Sequence, residues 1–155
     1  MLRRSLVALG ITGGLLAAGV RPVRAAEALA SQDTNLPGIG AEITRAHRKD
    51  GVLTIQMRLV NGSRSAQTFY VVDNRNYDAF YVVAKNKKYF VLRDSEKTPL
   101  APPSDGGGGV RVKLEPGAAW TWWARYPAPP KEVTSISYFT PLTPPFEDVP
   151  ITDAP

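Results

Sequence analysis

The stretch AAWTWWARY, residues 118–126, sets three tryptophans within four positions of a chain that has one histidine and no cysteine. At strand spacing, where successive side chains project to opposite faces, it divides into two unlike sets. Trp120, Trp122, Ala124 and Tyr126 share an almost wholly apolar face, while Ala119, Thr121, Trp123 and Arg125 share a mixed one. The apolar set is expected in the core, because aromatic rings bury large areas. The mixed set places an indole between a hydroxyl and a guanidinium, and aromatics and arginine are favoured at interface hot spots. Thr121, Trp123 and Arg125 are therefore the candidate contact surface. The competing expectation is that a loop such as Gly106–Gly109 covers Trp123.

Outward from that strand the same period recurs. Upstream, Val110, Val112 and Leu114 alternate with Arg111 and Lys113, and Glu115-Pro116-Gly117 turns the chain. Pro127, Pro129 and Pro130 stop the Trp-rich strand, because proline cannot donate to a ladder. Leu53, Ile55, Met57 and Leu59 alternate with Thr54, Gln56 and Arg58, and Lys49-Asp50-Gly51 reads as a hairpin turn joining this run to a partner at 41–48. Further strands are expected at Thr68–Val72, Ala79–Ala84, Tyr89–Arg93, Val133–Phe139 and Phe146–Ile151, with a turn at Asn86-Lys87-Lys88. No apolar set recurs at helical spacing over three turns. The pattern predicts an all-β chain, an antiparallel two-sheet sandwich of about 7–8 strands, with a closed barrel as the competing architecture.

The ends read differently. Met1-Leu2-Arg3-Arg4 is a basic start, Ser5–Val20 an apolar run, and Val23-Arg24-Ala25 a small-x-small cleavage pattern. Residues 1–25 are thus expected to be a cleavable export signal, too short in its apolar run for a stable span. Arg3-Arg4 resembles a twin-arginine core, so general secretion and twin-arginine export both stand, and the destination is periplasmic or secreted. No transmembrane span is expected after the signal. Residues 26–38 show no sustained period and are expected to be a flexible leader to a domain over 39–155.

Charge excludes one class of partner. The chain carries 19 Lys+Arg and 14 Asp+Glu, but four arginines lie in residues 1–25, leaving 15 against 14. A near-neutral domain gives no support to nucleic-acid binding through a basic face. Lys85, Lys87 and Lys88 form a local cluster expected to be a solvated turn.

Several constellations are examined for chemistry. Asp73-Asn74-Arg75-Asn76-Tyr77-Asp78 offers alternate oxygen ligands, but Ala79 and Lys85 stand where a calcium loop needs glycine and a bidentate carboxylate. An Asx-rich turn is the preferred reading. His47 alone cannot supply the several nitrogen or sulfur ligands of a zinc or copper site. No serine sits in a nucleophile elbow, and Gly106–Gly109 lacks the Gly-Lys-Ser/Thr continuation of a phosphate loop. Adjacent Glu147 and Asp148 should face opposite sides of a strand. Asn61-Gly62-Ser63 spells a glycosylation acceptor but reads as a turn. No cofactor, metal site or catalytic residue is expected, and the chain is not read as an enzyme.

LEPGAAWTWWARYPAPP (114–130) followed by VTSISYFTPLTPPFEDVPI (133–151) resembles secreted bacterial immunoglobulin-like domains of the cell envelope, sometimes found ahead of OmpA-like domains. On that resemblance Leu114, Pro116, Gly117, Pro127, Phe146, Val149 and Ile151 are fold positions. The resemblance implies an immunoglobulin-like sandwich and no enzyme chemistry. The expected function is an exported, non-enzymatic β-sandwich that binds or supports another envelope component, protein or glycan. The alternatives are a small-molecule or calcium-binding carrier and, third, an unrecognised hydrolase using His47.

Overall fold

The computed structural model describes residues 27–154, so the expected export signal lies outside the described residues. Eleven strands follow one another: β1 (Ala30–Asp33), β2 (Ile39–Lys49), β3 (Val52–Asn61), β4 (Gln67–Val72), β5 (Tyr81–Ala84), β6 (Lys87–Phe90), β7 (Val110–Leu114), β8 (Ala119–Pro127), β9 (Ser135–Thr140), β10 (Thr143–Pro150) and β11 (Thr152–Asp153). A single 3-10 turn, Tyr77–Ala79, precedes β5.

The first sheet runs β1-β2-β3-β8, the second β10-β9-β5-β6, and β4 pairs with β7 alone. All pairs are antiparallel except β11, which adds to β2 in parallel. Leu53, Ile55, Met57 and Leu59 point inward, as their alternation predicts, and Trp122, Ala124 and Tyr126 join them from β8. Val82, Tyr138 and Phe146 face them from the second sheet, and Phe69, Val112 and Leu114 close the core from the β4–β7 ribbon. The result is a sandwich-like all-β body with one core.

Trp122 is the centre of that core. Its ring stacks on Phe80 at 4.3 Å between centroids. Its indole Nε1 donates to Tyr138 Oη at 2.9 Å, and Tyr138 Oη is 3.0 Å from Tyr126 Oη. Burying roughly 200 Å² of indole at ~25 cal/mol/Å² stabilises by about 5 kcal/mol at most. Trp120 departs from the expectation of full burial. It lies half-buried against the core near the start of β8, opposite Leu59.

The β2–β3 hairpin closes where Lys49-Asp50-Gly51 predicts. Lys49 pairs with Val52, and Asp50 and Gly51 take φ of 49° and 76°. Both residues of a type I′ turn need positive φ, which Asp-Gly tolerates, and that turn matches the strand twist. The β5–β6 turn falls earlier than Asn86-Lys87-Lys88. Lys85 and Asn86 occupy the positive-φ positions at 48° and 59°, so Lys87 and Lys88 belong to β6.

Three further differences from the sequence reading have structural causes. Residues 30–33 of the expected leader form β1, whose short polar sequence hides a register with β2 from Ala30–Ile43 to Asp33–Gly40. Gln32 Nε2 fixes this edge by donating to Pro145 O at 3.0 Å. The strand expected at Tyr89–Arg93 leaves the second sheet after Phe90, and Leu92 N instead donates to Arg125 O of β8 at 2.8 Å. Glu147 and Asp148 do not take opposite faces. The register shifts between Phe146 and Val149, Asp148 adopts φ 51°, and both carboxylates are exposed.

β2 is itself interrupted, at Thr44. Ile43 pairs with Met57 and Arg45 with Gln56, so Thr44 is the extra residue of a bulge. Before it Ile39, Ala41 and Ile43 face inward; after it Ala46 and Arg48 do. This one-residue change of phase sends Arg45 and His47 to the outer face.

Candidate functional site

The outer face of the first sheet collects what the inner face rejects. Registers between β2, β3 and β8 set Arg45, Gln56 and Trp123 in one row, and His47, Thr54 and Arg125 in the next. These six residues line a shallow groove of about 330 Å³. Trp123 keeps 37% of its surface exposed, against none for Trp122 beside it. Thr121 and Arg125 are exposed as well. Thr121, however, stands one row away, opposite Arg58, whose guanidinium is engaged with Glu42 at 3.0 Å from Nε to Oε2. Trp123 and Arg125 therefore line the groove and Thr121 borders it.

The glycine loop does not cover this face. Asp105 Oδ1 accepts from the amides of Gly107 and Gly109 at 3.0 and 3.1 Å, folding residues 105–109 back on themselves. Gly109 lies against Tyr70 of β4, where an added Cβ would meet the ring at 2.6 Å. The loop is thus packed on the β4–β7 ribbon.

Arg45, Thr54 and Gln56 are not singled out by sequence alone, and His47 stands out there only as a metal ligand or hydrolase residue. The alternation of β3 places Thr54 and Gln56 outward, and the Asp50-Gly51 hairpin fixes which β2 residues oppose them. The bulge at Thr44 carries no such signal.

Electrostatics on the two sides of β2 differ sharply. On the outer face, Arg45 and Arg125 have no salt-bridge partner among the described residues. On the inner side, Arg48 is buried and fully engaged. Its Nη1 donates to Pro129 O and Pro130 O at 3.1 and 2.7 Å, and its Nη2 to Lys131 O at 3.1 Å and Asp153 Oδ2 at 3.0 Å. The hydrogen bond from Arg48 holds the Asp153 carboxyl below its usual range, with the guanidinium charge adding to the effect. Arg48 thereby anchors β11 and the proline-rich segment after β8.

His47 Nδ1 lies 3.3 Å from Thr152 Oγ1, and that hydroxyl donates to Ala46 O at 3.2 Å. The neighbouring Asp153 turns to Arg48, on the opposite side of β11. The Asp73–Asp78 loop forms a turn with Asn74 and Arg75 at φ 49° and 56°, closed by Asn76 N donating to Asp73 O at 2.9 Å. Asp78 is paired with Arg93 at 3.3 Å. Among the described residues no three His, Asp or Glu side chains gather as a metal would need.

Asn61, the would-be glycosylation acceptor, is fully buried. Its Nδ2 donates to Ser65 O and Leu114 O at 2.8 and 3.0 Å, and its Oδ1 accepts from Ser63 N at 3.0 Å. It ties β3 to β7 and is closed to modification in the folded chain.

A second exposed cluster lies on the outer face of the second sheet. Phe90, Tyr81 and Phe139 form a row across β6, β5 and β9, with Tyr81 and Phe139 stacked at 4.8 Å and 7°. Lys88 Nζ sits 4.5 Å over the Tyr81 ring. The Tyr81 ring is thus engaged by Phe139 and by an ammonium, while Phe90, 46% exposed, tilts against it at 6.1 Å and 52°. No helix among the described residues is long and apolar enough to cross a membrane. No protein family, curated protein or solved structure matches the chain.

Proposed function

We propose that the chain is an exported, non-enzymatic, immunoglobulin-like domain that binds or supports another cell-envelope component through the outer face of its first sheet. The observation that carries this reading is the Trp123 ring, held exposed on a three-strand face beside Arg125 of its own strand and across Gln56 from Arg45. A large apolar side chain left in water beside unpaired guanidinium groups has the composition of a recognition surface. Export rests on the basic start, apolar run and cleavage pattern of residues 1–25. A binding role in place of catalysis is supported by the engagement of the groups that could react. Thr152 Oγ1 bonds to a backbone carbonyl, and the Asp153 carboxylate is bonded to Arg48.

Co-sedimentation of the mature protein with purified cell-envelope fragments tests this. Trp123→Ala is expected to weaken association by about 30-fold, the equivalent of a hot-spot loss of ~2 kcal/mol. Lys113→Ala, on the exposed side of β7, should leave it unchanged. Equal sedimentation of wild type and the Trp123 variant, with unaltered thermal melting, refutes the assignment of this face.

A further inference from the structure

The same groove has a chemistry more specific than contact with an unnamed partner. Its six lining residues are two arginines, a histidine, a threonine, a glutamine and a tryptophan, with no carboxylate among them. The nearest acid on this face, Glu42, is already bonded to Arg58. Neighbouring strands lie about 4.8 Å apart, so the arginine-bearing columns on β2 and β8 stand roughly 10 Å apart with β3 between them. That middle column presents Thr54 and Gln56, a hydroxyl and an amide able to donate and accept. The arrangement is thus an indole and a guanidinium side by side on β8, neutral polar groups on β3, and a second guanidinium across the groove on β2.

Both edges beside the groove are partly occupied. β1 and β11 cover the outer edge of β2 at residues 40–43 and 47–48. On β8 the Arg125 amide donates to Leu100 O at 3.0 Å, and its carbonyl accepts from Leu92 N. A peptide adding as a further strand would need those backbone groups. Recognition at this groove must instead come from side chains on the face.

We propose that the groove binds a linear, carboxylate-bearing polysaccharide of the uronate type. The apolar face of a pyranose ring stacks on Trp123, Gln56 and Thr54 bond its hydroxyls, and Arg45 and Arg125 each pair with a carboxylate. Arginine is suited to this task because its planar fork meets a carboxylate through two parallel hydrogen bonds. The proposal rests on the reading of this face as a binding surface and adds the class of ligand.

Calorimetric titration of the mature protein with oligogalacturonate, its methyl ester and poly-glutamate tests it. The expected result is binding of oligogalacturonate that weakens with added salt. The neutral methyl ester should bind at least about tenfold more weakly, as should oligogalacturonate to Arg45→Gln and to Arg125→Gln. Trp123→Ala should weaken both sugars. Equal affinity for acid and ester overturns the charged-ligand assignment, and tighter binding of poly-glutamate replaces the glycan by an acidic peptide. Absence of binding to all three probes, with envelope co-sedimentation still sensitive to Trp123→Ala, overturns this inference and leaves the broader function standing. Co-sedimentation insensitive to Trp123→Ala removes both.

Discussion

Replacing Tyr138 by Phe removes one oxygen from the middle of the core and should cost far more than one hydrogen bond. Trp122 Nε1 donates to Tyr138 Oη at 2.9 Å, and the hydroxyls of Tyr138 and Tyr126 lie 3.0 Å apart. All three residues are fully buried, the first and third on β8 and Tyr138 on β9 in the facing sheet. Tyr138→Phe leaves an indole N–H and a phenol without their partners, at about 1–3 kcal/mol for each orphaned group, or about 2–6 kcal/mol together. Tyr126→Phe should behave differently. The indole N–H, the Tyr138 hydroxyl and the Tyr126 hydroxyl supply three protons for two hydrogen bonds, so removing the terminal hydroxyl deletes a surplus donor and orphans nothing essential. Its expected cost is under about 1 kcal/mol. Urea unfolding followed by tryptophan fluorescence measures both. With m near 2 kcal/mol/M, Tyr138→Phe lowers the midpoint by roughly 1–3 M at unchanged m, and Tyr126→Phe by less than about 0.5 M. Equal effects of the two variants, or a Tyr138→Phe loss below about 1 kcal/mol, would refute the argument that this oxygen joins the two sheets.

Two further outcomes follow from the titrating groups. Burial pushes the phenols of Tyr77, Tyr126 and Tyr138 upward, so above pH 10 the unfolded chain releases protons that the native chain still holds. Stability is complete below the unfolded value and falls as pH rises, by about 1.4 kcal/mol per pH unit for each tyrosine kept protonated. Urea midpoints at pH 9 and pH 11 measure it, with a flat profile as the contrary result and a shallower fall expected for Tyr138→Phe. At the acid end, Arg48 lowers the Asp153 carboxyl from its usual 3.8. The stabilisation is present above that value and is lost as pH falls through the lower folded one. Asp153→Asn should therefore melt below wild type at pH 7, and the gap should close as pH falls well below the usual carboxylate range; a gap that persists there would count against the ion pair as its source.

Much of this fold can be read from residue types because two local rules operate independently of context. Alternation on β3 and β7 reports which side is buried, and Asp50-Gly51 supplies the positive φ of a type I′ turn. Trp122 and Trp123 separate correctly on the same rule, one fully buried and the other 37% exposed. The rule fails where pairing, not composition, makes the strand. β1 and β11 are short and polar, and each exists because β2 offers it an edge. It fails again at strand ends, where Trp120 obeys the phase of β8 but lies near its first residue and is only half covered.

The most consequential failure is at Thr44, and it decides where function can sit. Extended without interruption, the phase set by Ile39, Ala41 and Ile43 would carry Arg45 and His47 into the core and Arg48 out to solvent. A buried arginine without partners is too costly to persist, and one deleted pairing step is cheap by comparison. The bulge resolves this by turning Arg48 toward Asp153 and the carbonyls of Pro129, Pro130 and Lys131, residues distant in sequence. The same step delivers Arg45 and His47 to the face that holds Trp123 and Arg125. Within Ile39–Lys49 the polar Arg45 and His47 at the inward phase hint at a break, but the partners that make it favourable lie more than 80 residues downstream. The outward groove and the inward clamp are therefore two consequences of one extra residue.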